Sequence, residues 1–145
     1  MNIIKHPFLK QRGMILLEGI FAILIFSLGI LALMGLQAAS IKNVGDAKYR
    51  ADASFLTDQI IGRMWADRAN LPCYTHQPAG ACSSPVSKAN LQNWLDNVGS
   101  LLPGATASLQ QISVDADNQV TVRVKWRAAQ DAHTHTFVAV AHING

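Results

Sequence analysis

Residues 14–36 read MILLEGIFAILIFSLGILALMGL, a run of 23 residues interrupted only by Glu18, Ser27 and the glycines Gly19, Gly29 and Gly35. About 20 helical residues, rising about 1.5 Å each, cross the roughly 30 Å hydrocarbon core of a bilayer. The run is therefore read as one spanning helix. A secretory signal peptide carries an apolar stretch of only about 7–15 residues before its cleavage site. This run is longer, although its continuation into Gln37, Ala38, Ala39 and Ser40 leaves a cut there open on pattern alone.

Outside that run the composition is that of an ordinary soluble sequence, and a head of roughly 80–110 residues suits one modest domain. The 145 residues carry a formal charge of +3. Setting aside Lys5, Lys10 and Arg12 before the span leaves nine basic and nine acidic side chains. The basic character thus belongs to the N-terminal tip. It is a topology signal that keeps the tip in the cytoplasm, and it gives no support for nucleic-acid binding. Lys42, Lys48 and Arg50 follow the span too, but Asp46 and Asp52 are interleaved with them.

Both cysteines, Cys73 and Cys82, lie beyond the span in a stretch rich in Pro, Gly, Ala and Ser. An even count there fits a disulfide in an oxidising compartment, with a reduced pair as the alternative. No second cysteine pair or neighbouring histidine cluster suggests zinc.

Glu18 sits five residues into the apolar run. A charged side chain costs about 2.5–3.5 kcal/mol at the centre of a bilayer helix, and less near its end. A plain anchor has no use for one. Cutting the chain after Gly13 would create a positive amine at Met14, four residues before Glu18 and on the same helical face. That amine could pair with Glu18 of its own chain or of a neighbour.

The sequence Lys10, Gln11, Arg12, Gly13, then Met14, Ile15, Leu16, Leu17, Glu18 resembles the type IV prepilin family. The family's signature is a short basic leader ending in Gly, followed by an apolar run with Glu at its fifth position. The resemblance implies cleavage by prepilin peptidase between Gly13 and Met14, N-methylation of Met14 and a subunit-docking role for Glu18. Met14 stands where most members have Phe. Residues 26–37 and 53–64, followed by 66–70, are similar to the type IV pilus modification (PilV) family of minor pilins. That similarity covers the first 70 residues.

The resemblance implies a minor pilin that takes part in priming or assembling a type IV pilus, and thereby in motility or adhesion. Its implied partners are prepilin peptidase, other minor pilins, the major pilin and the inner-membrane assembly platform. The head would be periplasmic and, after assembly, part of an extracellular fibre. A minor pseudopilin of a type II secretion system shares the same N-terminal logic and is the first alternative. A single-pass periplasmic binding or sensor module, whose helix is only an anchor, is the second. No Gly-x-Ser-x-Gly turn, phosphate loop or His-Glu metal motif is present, so no enzyme activity or cofactor is expected. No specific nucleic-acid or small-molecule ligand is expected either.

No proline occurs between Pro7 and Pro72. Apolar residues recur at Val44, Ala47, Ala51 and Phe55, then at Leu56, Ile60 and Met64, with Ile61 and Trp65 beside them. The expectation is one helix over residues 14–68, ended by Leu71 and Pro72. Gly29 and Gly35 weaken its membrane half, either as ordinary membrane-helix packing or as points of unwinding in a fibre. Ser87 is the expected N-cap of a short amphipathic helix carrying Leu91, Trp94, Leu95, Val98 and Leu102, stopped by Pro103 and Gly104.

Residues 109–114 form a first expected strand and 115–118 a turn. Val120, Val122, Val124 and Trp126 alternate with Thr121, Arg123, Lys125 and Arg127, which marks a half-buried strand. Residues 134–142 form a third. The expected fold is α+β and type IV pilin-like: a long N-terminal helix, half membrane and half amphipathic, packed on a small antiparallel sheet of about three to four strands. The expected domains are a leader at 1–13, a transmembrane or fibre-core helix at 14–36 and a periplasmic head at 37–145.

Three motifs have unremarkable readings. Arg123, Lys125 and Arg127 form a basic strip without an aromatic platform, which suits a solvated face better than an anionic ligand. His133 and His135 are two apart, but two histidines without a carboxylate or thiolate are too few for zinc. Asp115 and Asp117 bracket a turn and serve as turn formers.

Overall fold

The structure is a computed structural model that describes residues 12–129 and 131–144. Lys5 and Lys10, with the leader up to Gln11, lie outside the described residues. Two compact units are present, one running up to Val44 and the other from Gly45 onward.

Helix α1 spans Arg12–Ala66 without a break at Gly29 or Gly35. In the first unit every large apolar side chain from Met14 to Leu36 is exposed, from 40% for Ile30 to 71% for Ile15 and Leu16. Ser27 donates its hydroxyl to the Ile23 carbonyl at 2.7 Å, which satisfies it within the helix. Among the described residues, one helix is long and apolar enough to cross a membrane.

In the second unit α1 buries Ala53, Leu56, Thr57, Ile60 and Met64, with Tyr49 half-buried on the same side. These positions repeat every three or four residues, so they form one stripe. Thr57 returns its hydroxyl to the Ala53 carbonyl at 2.8 Å, which permits its burial. The stripe expected through Val44, Ala47, Ala51 and Phe55 is not the core face. Val44 and Phe55 are 67% and 62% exposed, on the opposite side of the helix from Ala53 and Leu56. Two apolar stripes exist on α1, and only one has a sheet and a second helix to cover it.

The α-helix ends at Ala66, two residues earlier than expected, and Pro72 lies inside a 3-10 segment, Arg68–Tyr74. The stop comes from Asp67. Its carboxylate accepts Asn70 Nδ2 at 2.7 Å, Tyr74 Oη at 3.0 Å and the Ser87 hydroxyl. Local side-chain bonds of this kind offer the chain an alternative to the helical ladder.

Helix α2 spans Pro85–Leu101. Its N-cap is Ser84, which accepts the Ser87 amide, and Pro85 occupies the first turn. This corrects the expectation for Ser87, which lies inside the first turn and is buried. A capping Ser followed by Pro at the first helical position is the pattern that marks the start. Trp94, Leu95, Val98 and Leu102 enter the core, and Trp94 Nε1 donates to the Leu56 carbonyl at 2.8 Å.

The sheet has three antiparallel strands in the order β1 (Gln111–Val114), β2 (Gln119–Trp126), β3 (His135–His142). Val120, Val122, Val124 and Trp126 are all buried, as their alternation predicts. β1 begins two residues later than expected because Gln110 replaces backbone with side chain. Its amide accepts from the Lys125 amide at 2.8 Å and donates to the Lys125 carbonyl at 3.1 Å. Those are the two ladder bonds a longer β1 would have made, and residues Ala107–Leu109 form a 3-10 turn instead. Gln110 is fully buried with its polar atoms paired, as burial of an amide requires.

Cys73 and Cys82 are joined by a disulfide, with Cα atoms 4.4 Å apart. By loop-entropy arithmetic such a short closed loop contributes about 2.5–3 kcal/mol. The loop folds tightly on itself: a Cβ at Gly80 would stand 2.2 Å from the Pro72 carbonyl oxygen, so only glycine fits. His76 ties the loop to β1 by a two-bond bridge with Ile112.

Candidate functional site on the exposed apolar helix

Met14 and Glu18 lie one turn apart on α1, and both are exposed. From Met14 to Ile41, Glu18 is the single ionisable side chain. Among the described residues it has no hydrogen-bond or ion-pair partner. The Gly13–Met14 bond lies within α1. A free amine at Met14 would stand one turn before the Glu18 carboxylate, on the same helical face. The apolar surface around it is favourable only when lipid or protein covers it, at about 25 cal/mol per Å² removed from water.

The basic strip does not assemble into a site. Arg123 is half-buried and donates to Gln111 Oε1 at 2.6 Å, while Arg127 is exposed beyond the end of β2. On the same outer face the register sets Val138 beside Arg123 and Val140 beside Thr121, and both valines are exposed. Asp115 is a turn former: its Oδ1 accepts the amides of Asp117 at 3.0 Å and Gln119 at 2.8 Å.

The two histidines separate. His133 is exposed and precedes β3, whereas His135 opens β3 and stacks on Trp126, with centroids 5.5 Å apart and planes inclined by 18°. Asp131 Oδ2 lies 2.9 Å from His135 Nε2. The carboxylate expected to be lacking near these histidines is therefore present. Its spacing of four residues across an irregular connection carries no helical or strand signal.

A second polar cluster joins the end of α1 to the start of α2. Hydrogen bonds from Ser87, then Asn70 and Tyr74, hold the Asp67 carboxyl below the usual carboxylate range, against an opposing effect of burial. Burial pushes the Tyr74 phenol up, and the Asp67 charge adds to that. Asp67 has a depressed folded pKa, so its contribution is full above the unfolded value of about 3.9 and is lost as pH falls through the folded one. Thermal melts between pH 5 and pH 2 are expected to show a falling melting temperature below about pH 4. That fall should be shallower in Asp67→Asn, and equal slopes would remove Asp67 from the acid response.

Comparison with family models, curated proteins and solved structures finds no match to this chain.

Proposed function

We propose that the chain is a minor pilin, a low-copy subunit that takes part in priming or assembling a type IV pilus and so in motility or adhesion. The observation that carries this reading is Glu18: a lone carboxylate on an exposed apolar helix, one turn after Met14. The residues from Lys10 to Glu18, and their resemblance to the prepilin signature, supply the context. On this reading prepilin peptidase cuts after Gly13, Met14 is methylated, and the new amine pairs with Glu18 of the same or an adjoining subunit. Before assembly α1 lies in the inner membrane with its tip cytoplasmic and its head periplasmic. Other minor pilins, the major pilin and the membrane assembly platform are its partners. The second apolar stripe on α1, through Phe55, is further surface for neighbouring subunits to cover.

The test is the intact mass of the protein from cells with an active prepilin peptidase. The expected species begins at Met14, carries one extra methyl group and lacks two hydrogens for the Cys73–Cys82 bond. A chain still beginning at Met1 overturns the reading and favours a bitopic binding or sensor module. Recovery of the processed chain with sheared pili separates the pilus from a type II secretion machine.

A further inference from the structure

The connection from β2 to β3 carries Asp131, and β3 opens with His135. Asp46, far earlier in the chain on α1, joins them. One ligand-capable atom from each of Asp46, Asp131 and His135 lies within 4.8 Å of the other two. We propose that these three side chains form a binding site for a divalent transition-metal ion of the zinc class.

The donor set selects the ion. Two carboxylates and one neutral imidazole carry a charge that a 2+ ion balances. Ca2+ and Mg2+ favour oxygen ligands throughout, whereas imidazole suits Zn2+ and its neighbours. Zinc bonds of about 2.0–2.2 Å put tetrahedral ligand atoms roughly 3.3–3.5 Å apart. The His135–Asp131 pair, now at 2.9 Å, would open slightly, and the wider spacings of the cluster would close by on the order of 1 Å. Side-chain movement alone supplies that. Three protein ligands leave a fourth position for water or for a group from a partner.

The surroundings favour a defined geometry. The Asp131 side chain is only 9% exposed and that of His135 26%. Trp126 holds the imidazole plane by stacking, so the ring meets the site edge-on without having to be ordered first. The ion would take the place of the hydrogen bond between His135 Nε2 and Asp131 Oδ2, the imidazole ligating through Nε2 with its proton on Nδ1. Asp131 makes a further interaction besides that with His135, and the ion must compete with it. Bound there, a metal fastens the β2–β3 connection to α1 within the second unit. This inference stands independently of the pilus reading.

The experiment is isothermal titration of the full chain, in detergent micelles and stripped of metal, with Zn2+ and separately with Ca2+. One equivalent of Zn2+ is expected to bind and to raise the melting temperature, with no Ca2+ response. Asp46→Asn, and His135→Phe, which keeps a ring on Trp126, should each weaken binding by about tenfold or more. His133→Ala should leave it unchanged. Absence of saturable zinc binding overturns the site, as does binding that survives either Asp46→Asn or His135→Phe.

Discussion

Glu18→Ala is expected, on the proposed pilin reading, to remove the subunit from sheared fibres while leaving cleavage after Gly13 intact. The two effects separate because they depend on different chemistry. On the proposed reading, cleavage depends on the leader and the Gly13–Met14 bond, whereas incorporation depends on a carboxylate meeting an amine in apolar surroundings. Removing Glu18 makes insertion of α1 into the membrane easier, by up to about 2.5–3.5 kcal/mol at mid-bilayer and less near the end. A loss from fibres therefore cannot be blamed on failed insertion. The proposed pair would be poorly screened, since low dielectric strengthens attraction between opposite charges. A drop of tenfold or more in the sheared fraction is expected, corresponding to about 1.4 kcal/mol. Glu18→Asp, shorter by one methylene, should recover part of it. Immunoblots of sheared and membrane fractions decide the matter, and an unchanged sheared fraction for Glu18→Ala defeats the docking role.

Trp94→Ala should cost the head about 3–5 kcal/mol. Whole-domain stabilities are about 5–15 kcal/mol, so about a fifth or more is at stake. Trp94 is fully buried and joins α2 to α1 both by its ring and by its bond to the Leu56 carbonyl. Removing it leaves a cavity in the core cluster that also holds Leu56, Ile60, Val98 and the inward valines of β2. Trp94→Phe keeps most of the apolar surface and isolates the hydrogen bond, for which about 1 kcal/mol is expected plus a smaller cavity term. Urea unfolding of the detergent-solubilised chain measures both. A loss under about 1 kcal/mol for Trp94→Ala would mean that α2 contributes little to the core.

Much of this architecture is legible in local pattern. Long-range placement is where reading from pattern fails. The apolar recurrence on α1 was real on two faces, and periodicity alone does not say which face has a partner. Leu56 and Ile60 are buried in one core cluster with Trp94 and the inward valines of β2, while Phe55 is left outside. Gln110 looks like strand in sequence, yet its side chain does the pairing that its neighbours' backbone would have done. The cap of α2 could have been read correctly, since Ser84 followed by Pro85 is a stronger start than Ser87.

The sequence by itself determined the long apolar helix, the isolated Glu18 one turn from Met14, the inward face of β2 and the turn at Asp115. Each depends on neighbours a few residues apart, where helical and strand periodicities dictate geometry. Only the tertiary structure decided which stripe of α1 is core, how Asp67 collects Tyr74 and Ser87, and that Asp46 meets Asp131 and His135. Those groups are distant in the chain, and they meet because burial of the apolar stripes, which is blind to sequence separation, brings their backbones together.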